Sequence, residues 1–512
     1  MVASQDNYHL GHLLLDQLRK RPDAIFQIDA GTGESETNAS VLLRAVRLAR
    51  CLRRLGAAPG DLLALHGNNH LDLLVPFYAA LFNGLTVFGV DPAYKLDEIK
   101  HLLKKTKPKI VFCQSDYFLD AVEDLGLDTK IVTFEEGKFS MQNFTNEYHH
   151  ENDEESDDEF KPAEFDTDKI YAFLISTSGS TGFSKLAAHK HKPWIEKLQR
   201  ARQVFVKEEP ALNLNSVHWI SAVFNILGMP LFNQTIVQTS APLTIEHIVD
   251  IINQYQPVQG FFCGNMMNAI LNYEKKCDLT CFDIIRLGGL KVHKDIIYEL
   301  RKRIRKDAIA FEVYGVTEAL GQVFSSNTEG PVGSVGKPTA VHQIKVKNLV
   351  EEHHHHLPAL LPIIWGRRNA YSEYYNDPER TAEVLTNDGW YKTGDLFYRD
   401  EDNYYYFVER IGMLIMYKNK FVTLTEVIRH HPGVLDVSVT AVPHPYDGEH
   451  PVACVVRRPG HHVTAQDIKD LVAKNYQHLR GGVIFMDELP KTSTGKEARA
   501  KLRDLAFVSK RE

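Results

Sequence analysis

Four short segments of the 512-residue chain combine glycine with hydroxyl or charged side chains. The first reads Ser176-Thr177-Ser178-Gly179-Ser180-Thr181-Gly182-Phe183-Ser184-Lys185. Glycine lets the backbone approach an anion closely, and successive amides and hydroxyls donate hydrogen bonds to phosphate oxygens. The spacing from Gly179 to Lys185 is not that of a Walker A loop. Alone, the segment fits either a phosphate-binding loop or a flexible Ser/Gly surface loop.

The other three segments offer an aromatic ring, carboxylates and a terminal lysine. Tyr314–Glu318 combines a ring that can stack on a flat base with a carboxylate that can hold Mg²⁺ beside phosphates. Gly389–Leu396 contains Asp395, which can accept hydrogen bonds from ribose hydroxyls. Leu489–Lys496 places a lysine after a Thr/Gly-rich stretch. Taken singly, each also fits an ordinary turn, hairpin or charged tail.

In order and spacing, the four segments together resemble the ANL superfamily of adenylate-forming enzymes. That superfamily includes acyl-CoA synthetases, 4-coumarate–CoA ligases, beetle luciferases and non-ribosomal adenylation domains. The resemblance covers nearly the whole chain and continues through Arg286–Leu290, Tyr375–Thr381, Glu409-Arg410, Pro432–Asp436 and Leu479–Val483. His218–Ser221 and the C-terminal region are most similar to insect luciferase-like acyl-CoA synthetases.

The resemblance implies a role for each segment in binding ATP, Mg²⁺ and coenzyme A. The residues expected to bind the β- and γ-phosphates are Thr177, Ser178, Gly179, Ser180, Thr181, Gly182 and Lys185. Those expected around adenine are Gly289, Leu290, Tyr314 and its neighbour Gly315. The remaining expected residues are Thr317 for phosphate, Glu318 for Mg²⁺, Asp395 for ribose, Arg410 for ribose or phosphate, Lys418 for the thiol channel and Lys496 for catalysis.

The function implied is an ATP-dependent carboxylate–CoA ligase that forms an acyl-adenylate and then a thioester. Lysine, Mg²⁺ and backbone donors would stabilise the charge that develops at the α-phosphate, so Lys496, Thr317 and Glu318 are the expected catalytic residues. The acid is expected to be fatty or aromatic, because Phe261 and Phe262 lie among the expected pocket segments. Those segments are Trp219–Asn225, Phe261–Asn265 and Gly315–Gly321.

Several positions depart from the family pattern, and two alternatives to the ligase stay open. Ser184 replaces the usual proline, and Leu186 replaces the usual glycine beside Lys185. Asn419 replaces a glycine of the thiol channel, and Gly412 replaces the hinge lysine. One alternative is a luciferase-like monooxygenase that acts on its adenylate. The other is a weakly active or non-catalytic nucleotide-binding relative.

The elements that must position these segments alternate between strand and helix. Val41–Leu55 and Leu71–Phe82 have helical spacing, whereas Asp61–His66 and Thr86–Val90 are short apolar runs. The alternation predicts layered α/β subdomains with parallel strands, and the resemblance adds a small β-barrel-like subdomain and a small mobile α+β C-terminal domain. The expected boundaries are 1–409 for the adenylation domain, 410–412 for the hinge and 413–512 for the C-terminal domain.

Composition excludes some partners. The formal net charge of −7, without a long basic stretch, argues against a nucleic-acid partner. The sequence contains no long uncharged apolar run, so we expect no membrane span. Ser509–Glu512 is not a Ser-Lys-Leu address, so we expect a cytoplasmic or peroxisomal protein, with the cytoplasm preferred. We expect a monomer or weak homodimer, six reduced cysteines, and a surface connection at His353–His356.

Overall fold

A computed structural model describes most of the chain. The described residues are 7–148, 159–177, 185–202, 209–326, 330–339, 342–346, 361–366, 372–410, 415–417, 420–422, 424–474, 479–491 and 497–512. The tract His353–His356 therefore lies outside them. Among the described residues, no helix is long and apolar enough to cross a bilayer. No disulfide links the six cysteines.

Helices flank every large sheet of the described chain. They are α1 (Leu10–Lys20), α2 (Asn38–Arg54), α3 (Leu74–Phe82), α4 (Leu96–Thr106), α5 (Phe118–Asp124), α6 (Met141–Tyr148), α7 (His191–Arg202), α8 (Ile220–Leu231), α9 (Ile245–Tyr255), α10 (Gly264–Leu271), α11 (Lys294–Arg303), α12 (Pro378–Val384), α13 (Thr425–Arg429), α14 (Ala465–Lys474) and α15 (Arg499–Val508). Short 3₁₀ helices cover Leu71–Leu73, Leu279–Cys281 and Thr317–Ala319. The predicted helix Leu71–Phe82 is thus a 3₁₀ turn followed by α3.

One seven-stranded sheet is parallel except at one edge. Its strands are β1 (Ile25–Asp29), β2 (Ser35–Thr37), β9 (Pro210–Leu212), β10 (Thr235–Gln238), β11 (Gln259–Phe262), β12 (Ile284–Leu287) and β13 (Ile309–Glu312). Their order is β13-β12-β11-β9-β10-β1-β2, and only β2 runs antiparallel to its neighbour.

A second seven-stranded sheet carries the predicted phosphate loop between two of its strands. Its strands are β3 (Leu62–His66), β4 (Thr86–Val90), β5 (Ile110–Cys113), β6 (Lys130–Thr133), β7 (Tyr171–Thr177), β8 (Lys185–Lys190) and β20 (Glu373–Tyr374). They are ordered β20-β8-β7-β4-β3-β5-β6, with β8 antiparallel to both neighbours. Every residue of β4 is buried, as expected for a parallel strand covered on both faces.

A continuous apolar core joins the two sheets. It includes Leu10, Val41, Phe77 and Ile226 from helices, Phe26 and Ile236 from the first sheet, and Leu63 and Phe173 from the second. Helix α2 begins where the Thr37 side chain accepts a hydrogen bond from the Ser40 amide, which satisfies one free donor of the first turn. Its buried side chains then face the core at helical spacing.

The remaining strands form smaller, mainly antiparallel sheets. One has the order β18 (Gln343–Val346), β19 (Leu361–Gly366), β21 (Trp390–Arg399) and β22 (Tyr405–Arg410). Short pairs are β14 (Gly315–Val316) with β15 (Gly321–Gln322), and β16 (Phe324–Ser325) with β17 (Lys337–Pro338). The last sheet comprises β23 (Ile415–Tyr417), β24 (Lys420–Val422), β25 (Val434–His444), β26 (Gly448–Arg457) and β27 (Gly482–Met486).

The predicted fold class is confirmed. The large N-terminal part is α/β, with an antiparallel sheet in its last section, and α13, α14 and α15 accompany the small C-terminal sheet. The boundaries 1–409, 410–412 and 413–512 stay predictions, and residues 411 and 412 lie outside the described chain.

Candidate active site

Asp395 and Arg410 face each other across the β21–β22 hairpin. They are paired in register, and Arg410 Nε lies 3.1 Å from Asp395 Oδ1. The Tyr314 hydroxyl donates a hydrogen bond to Asp395 Oδ2. Only 2% of the Asp395 side chain is exposed. Burial raises the pKa of the Asp395 carboxyl, while Arg410 and the Tyr314 hydroxyl act in the opposite direction. The carboxylate is thus held in one orientation by two partners.

The Tyr314 ring is half-buried in an aromatic cluster. Its edge meets Phe397 at 4.9 Å between ring centroids, and Phe407 stacks on it at 6.1 Å. Burial, followed by the charge of Asp395, raises the pKa of the Tyr314 hydroxyl well above its usual range. The hydroxyl therefore stays protonated and serves Asp395 as a donor.

Glu318 lies in the 3₁₀ turn Thr317–Ala319 and is also buried, with 8% exposed. Its Oε1 accepts a 2.6 Å hydrogen bond from the Tyr374 hydroxyl, which lies 3.5 Å from the Tyr391 hydroxyl. The backbone carbonyl of Glu318 accepts from the Ser372 amide at 3.0 Å, which brings β20 against the turn. Burial, followed by the charge of Glu318, raises the pKa of Tyr374. A carboxylate with neutral phenolic neighbours is a suitable oxygen ligand for Mg²⁺.

The predicted phosphate loop begins and ends on paired strand residues. Thr177 of β7 is directly opposite Lys185 of β8, while Ser178, Gly179, Ser180, Thr181 and Gly182 lie outside the described residues. Lys185 Nζ lies 5.0 Å from the centroid of the Tyr374 ring. The structure therefore brings Lys185 to the tyrosine that contacts Glu318.

Leu186, which stands where the family pattern has glycine, contributes its side chain to the apolar core. It is fully buried in β8 opposite Ser176 and belongs to an apolar cluster with Leu174 and Ala188. The residue is part of the regular ladder, so glycine's extra backbone freedom is not needed there. This departure concerns packing below the loop.

Gly289 and Leu290 follow the end of β12, next to the strand that leads to Tyr314. The Val313 amide donates to the Leu287 carbonyl at 2.7 Å, so the two strand ends remain paired. Gly289 has φ +84°, in the left-handed region that favours glycine. Leu290 is 36% exposed, and Gly315 pairs with Gln322 in the β14–β15 bridge. These residues surround the same strand edge as Tyr314.

Two predicted lysines lie outside the described residues. They are Lys418 and Lys496. The ends of the Lys496 segment are described: Lys491 and Glu497 form an isolated antiparallel bridge, and the Ser438 hydroxyl donates to Glu497 at 2.9 Å. The segment that carries Lys496 thus starts and ends at one point of the C-terminal sheet.

Sequence reasoning missed two groups at this site. Tyr374 and Tyr391 contact or approach Glu318, and Tyr374 precedes the recognised Tyr375–Thr381 segment by one position. Lys197 of α7 donates to the Leu320 carbonyl, lies 5.5 Å above the Phe224 ring, and has a pKa lowered to about 8 by burial. Lys197 therefore joins two of the expected pocket segments, but no local sequence signal marks it.

The family comparison now assigns the class. The model of the AMP-binding enzyme family matches residues 14–358, and that of the AMP-binding enzyme C-terminal domain matches residues 424–496. The chain belongs to the AMP-binding enzyme family, and the resemblance to adenylate-forming enzymes is confirmed.

Individual relatives are distant but cover nearly the whole chain. Luciferin 4-monooxygenase of Photinus pyralis is 28% identical over 520 residues, covering 96% of this chain and 92% of that protein. 4-coumarate–CoA ligase 3 of Arabidopsis thaliana is 27% identical over 515 residues, covering 93% and 87%. The crystal structure of ATP-bound MatB from Rhodopseudomonas palustris superposes with a TM-score of 0.85 at 21% identity, covering 98% and 100%.

Proposed function

We propose that the chain is an ATP-dependent carboxylate–CoA ligase that forms an acyl-adenylate, releases pyrophosphate and transfers the acyl group to coenzyme A. The observation that carries this proposal is the pair of buried carboxylates, Asp395 and Glu318, which accept hydrogen bonds from Tyr314 and Tyr374. Lys185 lies beside Tyr374. The family membership and the ligase among the relatives support the same class.

Asp395 would bind the ribose of ATP. Its carboxylate is already fixed by Tyr314 and Arg410, so little orientation freedom is lost when ribose hydroxyls donate to it. The partly exposed Tyr314 ring, with Gly289 and Leu290 at the neighbouring strand end, would contact adenine. Arg410 would complete the ribose or phosphate contacts.

Glu318 would hold Mg²⁺ beside the phosphates. When bound with ATP, this ion neutralises part of the phosphate charge and draws negative charge away from the α-phosphate. Thr317 precedes Glu318 in the same turn and would donate its hydroxyl to a phosphate oxygen. The Thr177–Lys185 segment would surround the β- and γ-phosphates with amides, hydroxyls and a lysine.

The acid's carboxylate would attack the α-phosphate, and pyrophosphate would leave. Negative charge then grows on the phosphate oxygens, where Lys496 would stabilise the transition state more than the ground state. In the second step the thiol of coenzyme A would attack the acyl carbonyl and AMP would leave, with Lys418 beside the thiol's path.

A rotation of residues 413–512 about residues 410–412 would switch the enzyme from adenylation to thioester formation. Arg410, the first residue of the proposed pivot, is anchored to Asp395 by an ion pair. A few residues that absorb large dihedral changes are sufficient for such a hinge. Gly412 supplies conformational freedom at this point.

The direct test is ATP–pyrophosphate exchange over a panel of fatty and aromatic acids, repeated with coenzyme A to detect thioester. Exchange should depend on one class of acid and on Mg²⁺. Lys496→Ala should lower the exchange rate about 10²-fold or more, because a positioned charge is lost from the transition state. Lys501→Ala, on exposed surface of α15, is the matched control and should retain full activity. Absence of exchange with every acid would refute adenylation.

A second candidate is a luciferase-like monooxygenase acting on its own adenylate. The observation that favours it is the 28% identity to a luciferin 4-monooxygenase. Light emission with luciferin, ATP and oxygen, without thioester formation in the presence of coenzyme A, would favour this candidate over the ligase.

A further inference from the structure

A histidine–aspartate–histidine cluster lies at the tip of the β25–β26 hairpin, on a different sheet from the one that carries Asp395. His444 ends β25 and His450 lies near the start of β26. His444 is opposite Gly448, and Val442 is opposite His450, so the two histidines are diagonal neighbours on one face. Asp447 lies in the turn between the strands and faces both rings.

The donor atoms are spaced as ligands of one small cation would be. Asp447 Oδ2 lies 2.9 Å from His450 Nε2 and 3.6 Å from His444 Nδ1. One ligand atom from each residue fits within 4.8 Å of the others. A tetrahedral zinc site has metal–ligand distances of about 2.0–2.2 Å, which places ligand atoms roughly 3.3–3.6 Å apart. The His444–Asp447 distance lies at the upper end of that range, and the His450–Asp447 distance is shorter.

Backbone geometry prepares one of the imidazoles. The Asp447 amide donates to His444 Nδ1 at 3.2 Å, which assigns a lone pair to that nitrogen. The His444 and His450 rings stack at 3.9 Å with 14° between their planes, so both are already gathered at the tip. A cation would replace the amide at His444 Nδ1, and the near-parallel rings would tilt so that the lone pairs of both imidazoles point at the ion.

The cluster is accessible from one side. The side chains of His444, Asp447 and His450 are 34%, 15% and 18% exposed. Both histidines line an open cavity of about 450 Å³ whose wall also includes Lys469, Arg480 and Arg511. Coordination positions not filled by the protein would therefore face water or an anion held by these cations.

We propose that His444, Asp447 and His450 bind a divalent first-row transition ion such as Zn²⁺. The two imidazoles suit such ions better than Ca²⁺ or Mg²⁺, and zinc also accepts a carboxylate oxygen as a ligand. The ion would tie the turn to both strands and stabilise the folded C-terminal region by an amount that rises with the logarithm of its concentration above the Kd. The competing explanation is that the Asp447 carboxylate only accepts a hydrogen bond from His450 Nε2, while its backbone amide donates to His444 Nδ1.

The experiment requires a background without the consecutive histidines, which bind Zn²⁺ unspecifically. That background is the full chain with His353→Asn, His354→Asn, His355→Asn and His356→Asn, stripped of metal. Calorimetric titration with Zn²⁺ should give one equivalent of saturable binding. In this background, Asp447→Asn and His450→Gln should weaken that binding by about 10–100-fold or more, because even an indirect partner of a metal ligand contributes that much.

The matched control is His461→Gln with His462→Gln in the same background, which removes two exposed histidines elsewhere in the region and should leave the affinity unchanged. Asp447→Asn retains a hydrogen-bond acceptor, so its far-ultraviolet circular dichroism should match the background. If His450→Gln disturbs folding, the Zn²⁺ affinity of Asp447→Asn is the result that tests the proposal. Unchanged Zn²⁺ affinity in Asp447→Asn, or no saturable binding in the background protein, would overturn the proposal.

Discussion

The large α/β region and the small C-terminal region place titratable side chains differently. In the large region, Asp395 is buried against Tyr314 and Arg410, and His189 is almost completely enclosed. In the small region, His444 and His450 gather around Asp447 at a partly exposed hairpin tip. Both arrangements are centred on a carboxylate, but water reaches only the second freely.

This difference teaches how each region can use its charges. Buried carboxylates with fixed partners are oriented before a ligand arrives, which favours binding and transition-state stabilisation over free exchange. A carboxylate at an exposed tip can exchange its partners, as a reversible cation site requires. Substitutions of the buried carboxylates should therefore change catalysis or folding, whereas those at the tip should change cation binding and the stability that depends on it.

The largest expected effect is at Glu318. Glu318→Gln should lower ATP–pyrophosphate exchange by about 10²–10³-fold, because the charge proposed to hold Mg²⁺ is removed. Stability should change little, since the Gln carbonyl still accepts from Tyr374. Glu373→Gln is a matched control: Glu373 also accepts from a tyrosine, Tyr171, but on an exposed strand edge. Equal losses in both variants would contradict the assigned role.

A smaller effect is expected at Asp395. Asp395→Asn should raise the KM for ATP about 10–100-fold, because charge-assisted hydrogen bonds to ribose of about 1.5–3 kcal/mol each are weakened. The kcat should fall less, since the ribose does not react. Asp400→Asn serves as control because Asp400 accepts from Tyr406 at 2.9 Å in the same hairpin. An unchanged KM for Asp395→Asn would remove Asp395 from the nucleotide site.

The smallest expected effect concerns stability against pH. Burial lowers the pKa of His189 to about 3, so the folded protein keeps this ring neutral while the unfolded chain protonates it below about pH 6.5. The contribution of the neutral His189 to the free energy of unfolding is complete above about pH 6.5 and is lost as pH falls toward 3. The loss is about 2 kcal/mol at pH 5.

Urea unfolding at pH 7 and pH 5 measures this loss in the large region, where Trp194 packs 6.1 Å from the His189 ring. All four tryptophans precede residue 410, so their fluorescence reports on that region alone. His189→Gln should reduce the difference between the free energies of unfolding at pH 7 and pH 5 by about 2 kcal/mol. His461→Gln, at an exposed site, should not. If the free energy of unfolding changes equally between pH 7 and pH 5 in the unsubstituted protein, His189→Gln and His461→Gln, then His189 is not neutral in the folded protein.

Much of the fold follows from the sequence because its signals are local. The apolar run at Thr86–Val90 is β4 with the predicted bounds, and Val41–Leu55 differs from α2 by a few residues. The motif residues Asp395, Glu318 and Lys185 were found because a glycine turn and a charged side chain occur close together in the chain. The pattern of periodicity and turns therefore predicted the layers, whereas the roles of the ligand-binding candidates rested on the resemblance to adenylate-forming enzymes.

The contacts that complete the site carry no such local signal. Tyr314 and Asp395 are separated by 81 positions, and Tyr374 and Glu318 by 56. These pairs form because strands distant in sequence become neighbours in space. Lys197 likewise is one charged residue of an ordinary amphipathic helix until α7 packs beside Leu320. The sequence marks Leu186 only as a departure beside Lys185, whereas its side chain belongs to the apolar core.

The direct pairing of Thr177 with Lys185 has a consequence for redesign. The segment between them is closed at its base by a backbone ladder, and Leu186 below it is packed into the core. Residues 178–184 can accordingly be treated as an exchangeable cassette, replaced by the corresponding segment of a relative without altering the sheet. Chimeras made at these two junctions would show how much of the phosphate chemistry depends on the segment itself and how much depends on the sheet that carries it.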